Sequence, residues 1–151
     1  MSASTPSLVS QASLLEAFLA LYQELNKDNL HRLAEVYDQQ ISFIDPLHSI
    51  EGLTQLQHYF AGMYANVESL QFEIASCLTQ DNQAAIFWTM HFSHSKLNRG
   101  HSIEVKGMTH LRMNDKIIYH RDYFDAGQML YRHVPLLGSA IKAINRRLAV
   151  S

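Results

Sequence analysis

Residues 69–125 read SLQFEIASCLTQDNQAAIFWTMHFSHSKLNRGHSIEVKGMTHLRMNDKIIYHRDYFD. Within this stretch apolar residues recur at every second position, the period of a strand with one buried face. Four runs stand out, at about 69–79, 83–94, 101–113 and 116–125. Asp81-Asn82, Leu97-Asn98-Arg99-Gly100 and Asn114-Asp115 separate them, and all three are turn-forming. Long alternating strands joined by short turns predict an antiparallel meander.

Ahead of the meander the period is helical. Ser13 and Glu16 form a capping box for a first helix, whose apolar stripe is Leu14, Phe18, Leu21 and Leu25. Asn29 is placed to cap a short second helix carrying Leu30, Leu33, Val36 and Tyr37. Ile41 to Asp45 reads as a strand that stops at Pro46, and a third helix carries Leu53, Leu56, Phe60, Met63 and Tyr64. After the meander come Ala126 to His133, Pro135, and a helix through Leu148 with Lys142, Arg146 and Arg147 near its end. This order predicts one α+β domain over residues 1–151, with helices on one face of a curved antiparallel sheet. Its core runs from about 11 to 135, and a helical extension covers about 136–149.

Composition narrows the function classes. The chain has 151 residues, and a length of that order buries about two-thirds of the unfolded surface around one core. Twelve Lys and Arg against fourteen Asp and Glu leave no basic footprint for nucleic acid. The single cysteine, Cys77, excludes an internal disulfide framework and a cysteine-rich zinc site. No run approaches the roughly 20 apolar residues of a membrane span, and the start has no basic segment of the kind that opens a signal peptide. A cytoplasmic protein that engages neither membrane nor nucleic acid is the expectation.

Several phrases carry a family resemblance: Tyr22-Gln-Glu-Leu-Asn-Lys-Asp-Asn-Leu, Phe43-Ile-Asp45-Pro46, Ile50-Glu-Gly52 and Arg121-Asp122-Tyr-Phe-Asp125. In this order and spacing, over about residues 11–135, the chain resembles the nuclear transport factor 2-like superfamily. The resemblance is to its SnoaL-like and ketosteroid-isomerase-like branches. It implies a cone, in which a strongly bent sheet wraps around three helices and a pocket opens at the wide end. The superfamily holds isomerases, cyclases, epoxide hydrolases and non-catalytic proteins, so fold alone does not give function.

Carried over residue by residue, the resemblance implies some chemistries and disfavours others. Asp45 matches the general-base aspartate of ketosteroid isomerases. The two oxyanion donors of those enzymes correspond to Leu21, with Tyr22 one step around the helix, and to Thr109, so steroid isomerisation is disfavoured. His120 to Asp125 is similar to the end of the sheet in limonene-epoxide-hydrolase-like enzymes. The matching stretch Trp88 to Phe92 offers neither arginine nor carboxylate, so epoxide hydrolysis is disfavoured too. SnoaL-like cyclases require one aspartate as base in an apolar pocket, and Asp122 meets that requirement.

Strand geometry orients these candidates. Residues two apart share a face, so Ile118, His120, Asp122 and Phe124 point one way. His120 beside Asp122 makes a pair able to transfer a proton. The alternative is a structural pair that holds the end of the sheet. Ile41 and Phe43 carry Asp45 inward with them, although an Asp-Pro at a strand end also commonly accepts hydrogen bonds from the following turn. Trp88, Met90 and Phe92 share a face with Ile86, as core or as pocket wall. Tyr22 and Tyr59 are candidate ligand contacts, Thr109 a candidate oxyanion donor, and no metal or cofactor is expected.

The expected ligand is a small hydrophobic carbonyl compound, either transformed by proton transfer in an isomerase or cyclase manner or simply bound. The outward residues are Glu104, Lys106, Met108, His110 and Arg112, then Tyr119, Arg121 and Tyr123; this mixture of Met, Tyr, Arg and His has the composition of an interface and predicts a homodimer through the outer sheet face. Ile141, Ile144 and Leu148 of the last helix are expected to pack on its own domain.

Overall fold

The computed structural model describes residues 8–129 and 137–149. The meander is present almost as read, in β3 (Val67–Gln80), β4 (Gln83–His94), β5 (Ile103–Met113) and β6 (Ile117–Phe124). Asp81, Asn98 and Arg99 take positive φ at the turns, a region that Asn and Asp tolerate better than most residues. Ahead of the meander lie α1 (Leu8–Glu24), a 3-10 helix (Leu30–Glu35), β1 (Tyr37–Ile44), β2 (Ser49–Glu51) and α2 (Leu53–Tyr64). Behind it lie the single turn α3 (Ala126–Met129) and α4 (Leu137–Ala149).

The sheet order is β2-β1-β6-β5-β4-β3, curved and unclosed. Neighbours pair antiparallel except β1 and β6, which run parallel, so the sheet is not wholly antiparallel. Two register shifts in β3, after Val67 and after Ile74, add the local twist and bend that extra residues give a strand. The concave face is filled from one side by Leu14, Leu15, Phe18 and Leu21 of α1 and by Leu53, Leu56 and Phe60 of α2. From the sheet it receives Ile41, Phe43, Ile86, Val105 and Leu111.

Local details differ from the sequence reading for identifiable reasons. Helix α1 begins by Leu8, so Ser13 and Glu16 sit inside it, both exposed, and cap nothing. The second helix is a 3-10 helix. Asn29 does not cap it with its side chain, which instead accepts from the Asn26 N–H and donates to the Glu24 carbonyl, closing the turn after α1. The short strand β2 has no periodicity over three residues and went unread. A register shift where β5 turns into β6 puts Ile117, not Ile118, in the core, while His120 and Asp122 keep the inward face.

Met63 is 39% exposed rather than buried with the α2 stripe. In α4, Ile144 and Leu148 are more than half exposed. Residues 130–136, including His133 and Pro135, lie outside the described residues. On the convex face Arg112 stacks over Tyr119 and Arg121 over Tyr123, with Tyr123 exposed. Among the described residues no helix is long and apolar enough to cross a membrane.

Candidate active site

A cavity of about 280 Å³ lies between α1, α2 and the concave face of the sheet. That is the small end of the roughly 300–1,000 Å³ typical of ligand pockets, a size for one or two fused rings. Its wall is overwhelmingly apolar. Ile86, Trp88, Met90 and Phe92 of β4 all contribute to it, as do Phe18 of α1, Phe43 of β1 and Phe124 of β6. The stripe on β4 is therefore core and pocket wall at once. Gly107 makes room for it, because a Cβ there would lie 2.4 Å from the Trp88 ring and 2.8 Å from the Tyr123 carbonyl oxygen.

Both candidate aspartates line this cavity, with different surroundings. The Asp45 side chain, 6% exposed just past the end of β1, is spoken for at both oxygens. Its Oδ1 accepts the Leu47 and His48 backbone N–H groups at 2.7 and 2.8 Å, and its Oδ2 accepts the Tyr59 hydroxyl. This is the turn-closing arrangement, reinforced by Tyr59. Burial, followed by the hydrogen bond to Asp45, pushes the Tyr59 hydroxyl well above its ordinary range, so it stays a donor.

Asp122, opposite Thr109 in the β5–β6 pairing, takes both of its hydrogen bonds on Oδ1. One comes from Thr109 Oγ1 at 2.6 Å and one links it to His120 Nε2 at 2.7 Å. Among the described residues Oδ2 makes no hydrogen bond, which leaves a carboxylate oxygen with its acceptor capacity intact in an apolar cavity. His120 is almost fully buried between the rings of Phe43, Phe18, Tyr22 and Tyr37. Its other nitrogen, Nδ1, lies 2.7 Å from the Tyr37 hydroxyl, which is 2.5 Å from that of Tyr22.

Counting protons fixes the direction of this chain. With Asp122 ionised and His120 neutral, Nε2–H donates to Asp122 and Nδ1 must accept from Tyr37. The Tyr37 oxygen then accepts from Tyr22. Burial raises the pKa of both tyrosines well above the ordinary value, so both keep their protons. Thr109 accepts from Trp88 Nε1 at 2.8 Å and spends its one proton on Asp122. It is therefore not placed to give a hydrogen bond to a ligand oxyanion, as the sequence reading has it.

Seven of the nine candidate residues are thus linked in two hydrogen-bonded sets. Asp122, His120, Thr109, Trp88 and Tyr22 share one, joined through Tyr37; Asp45 and Tyr59 share the other. Met90 and Phe92 contribute wall only. The sequence reading passed over Tyr37, counted with the apolar residues of the second helix, and Tyr64, counted with the α2 stripe. The available signal was chemical: a tyrosine buried in an apolar run must still place its hydroxyl somewhere.

The comparisons follow from this architecture. A SnoaL-like domain model matches residues 18–120. The chain belongs to the SnoaL-like family. Among solved structures, a nuclear transport factor 2-like protein of unknown function from Burkholderia pseudomallei K96243 superposes with a TM-score of 0.71 at 10% identity, over 83% of this chain and 98% of that one. A protein with a ketosteroid isomerase-like fold from Catenulispora acidiphila DSM 44928, in complex with trimethylamine, gives 0.67 at 15% identity, over 80% and 90%. An LEH-like epoxide hydrolase from M. tuberculosis gives 0.66 at 16% identity, over 85% and 94%. No curated protein shows a significant match. At these identities the structural likeness speaks for the SnoaL-like fold alone.

Proposed function

We propose that this SnoaL-like protein binds a small apolar carbonyl compound in the cavity and moves a proton at the carbon next to the carbonyl. Asp122 is the base. The observation that carries the reading is its Oδ2, open to an apolar cavity while His120 and Thr109 hold the carboxylate in place through Oδ1. A carboxylate in a dry pocket meets little competition from water for a carbon-bound proton. His120 positions Asp122 through the hydrogen bond from its Nε2–H. Asp45, with both oxygens occupied, shapes the cavity mouth.

The test is deuterium exchange at the α-carbon of a bicyclic ketone, 2-tetralone, followed by proton NMR in heavy water. Exchange above the buffer rate is expected, and Asp122→Asn should slow it by about 100-fold or more. Equal exchange in the variant would refute the assignment. Ketone binding without any exchange would leave a ligand-binding protein on the same cone.

A further inference from the structure

Hydroxyl protons around the cavity are almost all committed. Tyr22 donates to Tyr37, Thr109 to Asp122 and Tyr59 to Asp45. Tyr64, at the end of α2, is the exception. It lines the cavity, and among the described residues its hydroxyl has no hydrogen-bond partner. The residue is only 9% exposed, yet no buried side-chain oxygen or nitrogen is left unpaired among the described residues. Its hydroxyl must therefore reach open space, and the space that Tyr64 lines is the cavity.

Two further observations fit a ligand contact. The Tyr64 ring packs edge-on against Phe60 with centroids 6.2 Å apart, which restrains the ring at the cavity wall. Tyr64 shares the cavity wall with Tyr22 and Asp122, so a ligand in the cavity can meet all three. Burial raises Tyr64 as well, so it keeps its proton.

We infer that Tyr64 donates the hydrogen bond that holds the ligand's oxygen, and that the cavity selects a carbonyl oxygen over an apolar group of the same shape. This rests on the proton-transfer reading and deepens it. In the step, the α C–H bond breaks and its proton passes to Asp122 Oδ2. The electron pair of that bond moves toward the carbonyl, whose oxygen becomes an enolate oxyanion accepting from Tyr64. Return of the proton from Asp122 to carbon regenerates the carboxylate. A donor aimed where charge develops strengthens as the charge grows, so Tyr64 acts on rate more than on binding.

The experiment compares 2-tetralone with tetralin, its hydrocarbon analogue, in binding to wild type, Tyr64→Phe and Asp122→Asn, with Trp88 fluorescence as the readout. Tyr64→Phe should weaken ketone binding by about tenfold, leave tetralin unchanged, and slow α-exchange by roughly 100-fold. Unchanged ketone binding and exchange in Tyr64→Phe, with exchange lost in Asp122→Asn, would overturn the role of Tyr64 and leave Asp122 as base. Unchanged exchange in Asp122→Asn would refute the proton-transfer reading, and the ketone-to-tetralin affinity ratio would still decide Tyr64. Should Tyr64→Phe fail to fold, the carbonyl stretch of the ketone bound to wild type decides. A shift below its frequency in hydrocarbon supports the hydrogen bond, and an unshifted band overturns it.

Discussion

Two aspartates of equal charge have different work because their partners differ. Asp45 accepts two backbone N–H groups and the Tyr59 hydroxyl, which engages both of its oxygens. Asp45→Ala would leave those three donors unpaired beside an apolar cavity, and a lost partner of that kind costs about 1–3 kcal/mol. The expected result is a lower midpoint in urea denaturation, with α-exchange per folded molecule within a few-fold of wild type. Asp122→Asn should do the reverse, losing exchange and little stability, since the amide oxygen still accepts from Thr109. A larger exchange defect in Asp45→Ala than in Asp122→Asn would reverse the roles assigned to the two carboxylates.

Among the elements, β4 and β5 together make the wall. Trp88 lies across from Gly107, and its indole closes over the space where a side chain on β5 would stand. From there its Nε1–H reaches Thr109, which in turn holds Asp122. One absent methyl group thus links the packing of two strands to the orientation of the base. Gly107→Ala should push the indole out of place at a cost of about 1–3 kcal/mol. Its emission should shift to the red, and tetralin binding should weaken together with ketone binding. An unshifted spectrum with full stability would mean that the strands yield without disturbing the ring.

The whole molecule encloses several tyrosine hydroxyls, and that has a consequence at high pH. Burial raises Tyr22 and Tyr37 well above their ordinary value, and raises Tyr59 and Tyr64 too. Above pH about 10 the unfolded chain loses these protons while the folded protein keeps them, so the unfolded state binds fewer protons and stability falls as pH rises. Below that pH their contribution is complete and constant. Each tyrosine held protonated contributes a slope of about 1.4 kcal/mol per pH unit, and Tyr22 with Tyr37 roughly twice that. Denaturation midpoints between pH 8 and 12 should therefore be flat and then drop steeply. The part of the tyrosinate absorbance that Tyr22→Phe with Tyr37→Phe removes should rise with the loss of tertiary structure, not before it. Tyr22→Phe with Tyr37→Phe should flatten the drop.

Which residues face inward was legible in the sequence, because side-chain direction along a strand is a local property set by the period of two. That is why Ile86, Trp88, Met90 and Phe92 come out as one wall, and His120 and Asp122 as neighbours on one face. The chain order of helices and strands was legible for the same reason, and with it the SnoaL-like cone. Hydrogen-bond partners were not, since they depend on how segments far apart in sequence come to lie side by side. Tyr37 meets His120 across 83 residues because β1 pairs parallel with β6, and no local pattern encodes that pairing. The same holds for the proton of Thr109, given to Asp122 across a hairpin, and for the hydroxyl of Tyr64, left without one. Local patterning is enough to say which groups face the cavity; which of them satisfy one another, and which stand open to a ligand, depends on contacts between distant segments that form only on folding.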